Sequence, residues 1–194
     1  MNTASTPFVQ TLVSSPLGRL RLVASPAGLA GLWFVEQQRH APAPERVAAW
    51  ATVSQHPLLD EAARQLRAYF AGDLLRIDLP LDLRQGTGFQ RDVWRALLEI
   101  PAGQTTSYRG LAQTIGRPQA VRAVGAAVGR NPLCIVVPCH RVLGSDGSLT
   151  GYAGGLPRKQ ALLRLEGVTG DGAHQSPAHS SSIAARPASR TTAH

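Results

Sequence analysis

The chain has 194 residues, 43% of them hydrophobic, and a formal net charge of +8, which suits one large domain or two small ones with an ordinary core. Its only two cysteines, Cys134 and Cys139, exclude a disulfide framework and fit neither a zinc nor a CxxC redox spacing. No segment approaches about 18 uninterrupted apolar residues and no secretory leader is visible, so a soluble, cytoplasmic protein without membrane contact is expected.

Residues 8–14, 19–24 and 29–35 are short runs of Val, Leu, Phe and Trp separated by Ser-Pro-Leu-Gly and Ser-Pro-Ala-Gly turn signals, a pattern that predicts an antiparallel meander. Residues 38–44 read as a loop. Leu58, Leu59, Ala62, Ala63, Leu66, Tyr69 and Phe70 recur at helical intervals over 57–70, with Gly72 closing the helix. Residues 79–83 are extended, and Gln85-Gly86-Thr87-Gly88 reads as a linker.

Beyond the linker the pattern turns helical. Thr87 or Gly88 caps a helix with an apolar stripe of Phe89, Val93, Trp94, Leu97 and Leu98, ending before Pro101. Thr106 or Ser107 opens a short helix stopped by Gly116, and Pro118 takes a first-turn position for another over 119–128. Two short helices about a glycine-containing turn make a helix-turn-helix. The second is nearly bare: Ala120, Ala123, Gly125, Ala126, Ala127 and Gly129 leave Arg122 as its only long side chain before Arg130. Such a helix suits close approach to a narrow surface such as the DNA minor groove, or tight packing on a neighbouring helix. Charge is concentrated in the same stretch, a footprint of binding to phosphate or simply a solvated basic face: residues 86–167 hold 10 basic against 4 acidic side chains, and residues 1–85 hold 8 against 7.

The apolar run 133–137 reads as a short buried strand or extended segment that Pro138 must end. Cys139-His140-Arg141-Val142 follows, setting a half-shielded thiol beside groups able to lower its pKa. Cys139 is then a nucleophile, or a buried structural cysteine beside a surface histidine. A turn at 144–147, a glycine-rich loop at 150–155 and a helix over 157–166 complete the ordered sequence. The last 27 residues, 168–194, lack periodicity and are expected to be a disordered tail. The organisation is therefore α/β (α+β): an N-terminal domain over 1–85 with an antiparallel sheet, a mainly helical domain over 86–167, and the tail.

Six motifs in order resemble the O6-alkylguanine-DNA alkyltransferase family: Phe89-Gln90-Arg91-Asp92-Val93-Trp94, Thr106-Ser107-Tyr108, Arg122-Ala123-Val124-Gly125, Asn131-Pro132, the run 138–142, and Gly151-Tyr152-Ala153-Gly154-Gly155-Leu156. The resemblance implies a winged-helix-like C-terminal domain. It implies direct-reversal repair of double-stranded DNA, moving an alkyl group from guanine O6 onto Cys139 once and irreversibly, with no cofactor and no metal. By the same resemblance His140 takes the Cys139 proton through a water, Glu166 orients His140, and Asn131 holds the adjoining segment. The Tyr108 hydroxyl meets guanine N3, the Ala153 N–H meets O6, and the carbonyls of Cys139 and Val142 meet the base edge, with Tyr152 among the substrate- and DNA-binding residues. Arg122 fills the space left by the extruded nucleotide, Ala123 and Gly125 give the bare groove face, and Arg130 meets phosphate. A monomer is expected; activity on O4-alkylthymine, cooperative binding along DNA, the range of alkyl groups and the role of Arg141 are left open.

Two other functions share parts of this pattern. A lesion-binding relative without transfer activity replaces the reactive cysteine, which is present here. A Cys-His hydrolase turns over repeatedly and has no need of the Arg122 helix.

Overall fold

The computed structural model describes residues 8–36 and 38–168; the tail expected at 168–194 lies, from residue 169 on, outside them. Three strands form the meander, β1 (Val9–Val13), β2 (Leu20–Ser25) and β3 (Gly28–Phe34). β1 and β2, and β2 and β3, pair antiparallel. A two-residue strand β4 (Ala51–Thr52) adds to β1 in parallel, giving the order β3-β2-β1-β4. The sheet is therefore not wholly antiparallel. The chain reaches β4 through a short helix α1 (Pro44–Ala48), whose five residues are too few for a periodic signal.

Helix α2 (Pro57–Ala71) buries Leu59, Ala62, Ala63, Leu66 and Tyr69 against the sheet and stops at Gly72, whose φ of 84° closes the last turn. Every residue of β3 is buried: α2 packs on one face of the sheet, Trp50 just after α1 packs on Trp33 of the other, and Leu81 and Leu133 bridge the free edge of β3. That explains its unbroken apolar sequence. Residues 79–83 lie along β3, with Leu29 N–H donating to Pro80 O at 2.7 Å and Asp82 N–H to Leu29 O at 2.8 Å. A Cβ on Gly28 would stand 2.4 Å from Pro80 O, so only glycine allows this approach.

Helix α3 (Gly88–Leu98) begins in a reciprocal cap between Thr87 and Gln90. Helix α4 (Tyr108–Thr114) is capped by Ser107, and α5 (Val121–Gly129) follows across a turn at Gly116. Pro118 lies in that turn, three residues before the helix it was expected to open, because α5 starts only at Val121. The buried Trp94 indole donates to Ala127 O at 2.9 Å and fixes α5 on α3. A two-stranded parallel pair joins β5 (Thr106–Ser107) to β6 (Val142–Leu143), and α6 (Leu156–Leu165) closes the fold.

The run 133–137 is not a strand. Only Leu133 bridges, to Leu32 of β3; the chain then turns, with Val137 N–H donating to Leu133 O at 2.8 Å. Ile135 sits at φ 71°, a left-handed conformation unfavourable for a β-branched residue by about 1–3 kcal/mol. Burial of Leu133, Ile135 and Val137 and the side chain of Asn131 hold it there. The turn carries the backbone into a single 3-10 turn, Cys139–Arg141, beneath α6.

Candidate active site

Cys139, His140 and Arg141 occupy that 3-10 turn, and all three are buried. Asn131, eight residues before Cys139, arranges the approach with one amide. Its Oδ1 accepts from Leu133 N–H at 2.9 Å, and its Nδ2 donates to Val137 O at 2.7 Å and to Cys139 Sγ at 3.1 Å. The expected half-shielded thiol of lowered pKa is corrected by this geometry. Cys139 is only 3% exposed, and burial pushes its pKa up, while the Asn131 bond and the Lys159 charge pull the other way.

His140 is fully buried, so it is no surface histidine. Its Nε2 lies 2.9 Å from Glu166 Oε1, and its Nδ1 has no partner among the described residues. Glu166, the C-cap of α6, also takes a fork from Arg141, Nε to Oε2 and Nη2 to Oε1, both at 2.8 Å. Tyr69 of α2 donates its hydroxyl to Oε1 at 2.7 Å. Burial would raise the Glu166 pKa, yet the bonds from His140 and Arg141 outweigh it and hold the carboxyl at about 2. Burial lowers that of His140. The pair is therefore a carboxylate with a neutral imidazole, Nε2–H donating to Glu166 and Nδ1 keeping its lone pair.

Arg141, whose role the sequence left open, is thus the counter-charge of Glu166, and a third bond to Ile100 O anchors it. Lys159, noticeable in the sequence only as its single lysine, is also fully buried. Its Nζ donates to Val142 O at 2.5 Å and Thr150 O at 2.6 Å, and burial lowers its pKa to about 8. Tyr69 gave no chemical signal in the sequence, since it stands in an ordinary helical stripe 97 residues from Glu166.

The remaining expected residues surround this cluster. Tyr108 opens α4 with its hydroxyl 3.2 Å from Gly151 O and 3.4 Å from Thr150 O; burial raises its pKa, as does the Cys139 charge. A Cβ on Gly151 would stand 2.9 Å from that hydroxyl. Tyr152 is buried with no partner for its own hydroxyl among the described residues. Val142 pairs with Thr106 in β6, and Ala153 O accepts from Arg39 N–H at 2.8 Å. Arg122, Ala123 and Arg130 are exposed on the open side of α5, and Gly125 is half-buried with a Cβ position 3.8 Å from the Tyr108 ring. Val124, Ala127 and Val128 face inward. Among the described residues no group of three or more His, Cys, Asp or Glu is placed to hold a metal, and no helix is long and apolar enough to cross a membrane.

A buried thiol with a histidine-carboxylate pair at its side, beneath a helix-turn-helix whose second helix is bare and basic, defines a DNA-acting protein that uses cysteine chemistry. Comparison with known proteins gives the class its particular form. A model of the 6-O-methylguanine DNA methyltransferase DNA-binding domain matches residues 88–168, and one of the ribonuclease-like domain of the same protein matches residues 8–83. A methylated-DNA–protein-cysteine methyltransferase of Mycolicibacterium paratuberculosis is 52% identical over 79% of this chain and 89% of its own length. One from Methanosarcina barkeri is 48% identical over 80% and 94%. A crystal structure of Mycobacterium tuberculosis OGT in complex with DNA superposes with a TM-score of 0.72 at 47% identity, covering 81% of this chain and 92% of that one. The chain belongs to the 6-O-methylguanine DNA methyltransferase family: it binds DNA and repairs it directly, by alkyl transfer to cysteine.

Proposed function

We propose that the lesion is O6-alkylguanine in duplex DNA, that the acceptor is Cys139, and that the protein reaches the base from the minor groove. The observation that carries this reading is the Asn131–Cys139 bond beside a His140 whose Nε2 is committed to Glu166. The Cys139 proton passes through a water molecule to the lone pair of His140 Nδ1. The thiolate attacks the alkyl carbon, a C–S bond forms as the C–O6 bond breaks, and the electron pair leaves with guanine. Tyr108 then exchanges its carbonyl contacts for guanine N3, the Ala153 N–H meets O6, and the carbonyls of Cys139 and Val142 meet the base edge. Tyr152 walls the pocket. A thioether is stable to hydrolysis, so one chain acts once.

The bare face of α5 fits a groove about 6 Å wide. Arg122 enters the stack in place of the extruded nucleotide, which costs a few kcal/mol, less for a damaged pair. Ala123 and Gly125 give clearance and Arg130 meets phosphate, so recognition depends little on sequence. Residues 1–85 serve as scaffold, 86–167 carry binding and transfer, and the two free thiols suit a cytoplasmic setting.

The test uses a duplex with O6-methylguanine labelled in the methyl group. One label per chain, found on Cys139, is expected, with Cys139→Ala keeping DNA affinity and losing transfer. Many turnovers per chain, or label on Cys134, would overturn the assignment.

A further inference from the structure

The glycine-rich loop 150–155 carries its backbone toward the site, and a chain this rich in glycine loses much conformational freedom when ordered. Two consecutive residues in the first turns of α6 hold it at opposite ends. Lys159 Nζ takes Thr150 O at 2.6 Å, and Arg158 Nη1 takes Gly154 O at 3.0 Å. Arg158 reaches further. The same Nη1 bonds Glu36 O at 3.0 Å, Nε bonds Leu17 O at 2.8 Å, and its guanidinium carbon stands 4.3 Å from the centre of the Phe34 ring. Leu17 lies in the β1–β2 turn, and Phe34 and Glu36 end and follow β3. One side chain therefore spans the turn of the meander, the end of its last strand and the loop.

The loop is seated to match. A Cβ on Gly154 would come within 3.1 Å of Phe34 Cδ2, so the backbone rests against the ring. Ala153 O is held by Arg39 N–H at 2.8 Å, again from the N-terminal half. All three of the nitrogen-to-oxygen bonds that Arg158 makes are to backbone carbonyls; it forms no ion pair among the described residues. A guanidinium fork is the side chain that can reach several carbonyls in fixed directions, which a lysine cannot.

We infer that Arg158 is a positioning residue: it locks the 150–155 loop to the N-terminal sheet, so that the sheet, which contributes no reacting group, sets the geometry in which the loop meets the substrate base. The inference rests on the reading that this loop presents the Ala153 N–H to guanine O6. Without the clamp the loop samples other conformations, and the reactive fraction of the DNA complex falls accordingly.

The experiment compares the native chain with Arg158→Met, which keeps the aliphatic stem, and Arg158→Lys, which keeps the charge without the fork. Four quantities are read: amide hydrogen exchange at Ala153, Gly154 and Gly155 in the DNA-free protein; the dissociation constant for O6-methylguanine duplex; the limiting single-turnover rate of methyl transfer; and the pH dependence of that rate. Expected for Met are faster exchange confined to the loop, unchanged DNA affinity, a limiting rate about tenfold lower and an unmoved pH profile; Lys gives the same pattern, smaller. A native rate alongside freed loop amides would overturn the inference. So would a moved pH profile, which would place Arg158 in the proton relay, or global loss of protection in both variants. If the native chain transfers no methyl group, the function reading fails instead, and the exchange data still judge the clamp.

Discussion

Replacing Arg141 by methionine removes the fork on Glu166 and keeps the stem that fills its space. In the native chain both donors bond the same oxygen, Oε1, Arg141 Nη2 at 2.8 Å and His140 Nε2 at 2.9 Å, so a protonated His140 would place two cations within about 6 Å. At an effective dielectric constant near 20 that repulsion is about 3 kcal/mol, or about two pKa units. Arg141 thus helps keep His140 neutral and able to accept the thiol proton, in the direction that its charge acts on the imidazole. Without it, the Glu166 carboxylate, fully buried, has only one group left that can neutralise it, and His140 takes up a proton to do so. An imidazolium cannot act as base.

The acid limb of the single-turnover transfer rate should therefore move up by one to two pH units in Arg141→Met, with a rate at pH 7 lower by about tenfold or more and recovering toward pH 8.5. Stability should fall by about 3–5 kcal/mol, since one partner of a buried pair is gone. Arg141→Lys retains the charge and should keep the limb near its native position. Labelled duplex assayed between pH 5.5 and 8.5, with His140 followed by NMR, checks both quantities. A folded Met variant whose acid limb and His140 titration coincide with the native ones would refute the reasoning.

Ala123→Leu should fold normally, because Ala123 is exposed on α5, yet weaken duplex binding tenfold or more by adding bulk to the groove face of α5; undiminished affinity in a fluorescence titration would move the interface elsewhere. Acidification supplies a further check. His140, with its pKa below the usual 6.5, binds its proton more readily unfolded, so stability is full above pH 6.5 and begins to drop below it. Glu166, lowered from 4.5 to about 2, adds about 3 kcal/mol that is present above pH 4.5 and lost as pH falls through about 2. Urea midpoints measured from pH 7.5 to pH 3 should decline across both windows, and a level midpoint from pH 6.5 to 5 would remove His140 from the account.

The elements set by local periodicity were legible in the sequence to within a residue or two: the three meander strands, α2 with its Gly72 stop, and α3 behind Thr87. Run 133–137 was not. Its composition is that of a buried strand, and what bends it is a single amide, Asn131, acting on Leu133 and Val137 together with the strain accepted at Ile135. Asn131-Pro132 was a turn signal in plain view, outweighed by the hydrophobic run after it. In the site, motif order named Cys139, His140 and Asn131 and only the family resemblance named Glu166, and the structure brings the four together. Tyr69, Arg141 and Lys159 escaped because their importance lies in what they touch. Tyr69 occupies a core position by periodicity, Arg141 adjoins a motif without a visible partner, and Lys159 stands on a helix whose burial no pattern announced.

On the proposed function, in which Cys139 is the acceptor, those three residues bear on how a single-use thiol stays unspent. A permanently ionised, exposed cysteine would react with any electrophile or oxidant, and for an acceptor that works once each such event is a lost molecule. Burial raises the Cys139 pKa and covers the sulfur, so the resting form is the thiol. Ionisation then needs a base and a counter-charge at hand, and both are built in. In the proposed transfer the base is His140, neutral because burial and Arg141 disfavour its cation while Tyr69, Arg141 and His140 itself satisfy Glu166. The counter-charge is Lys159, which pairs with no carboxylate among the described residues and is held by two carbonyls. Its pKa of about 8 records the cost of that burial, and a thiolate at Cys139 is the charge that relieves it. Moving a proton from Cys139 to His140 thus places the new cation on Glu166 and the new anion within the field of Lys159, so each charge created by the transfer already has its opposite in place.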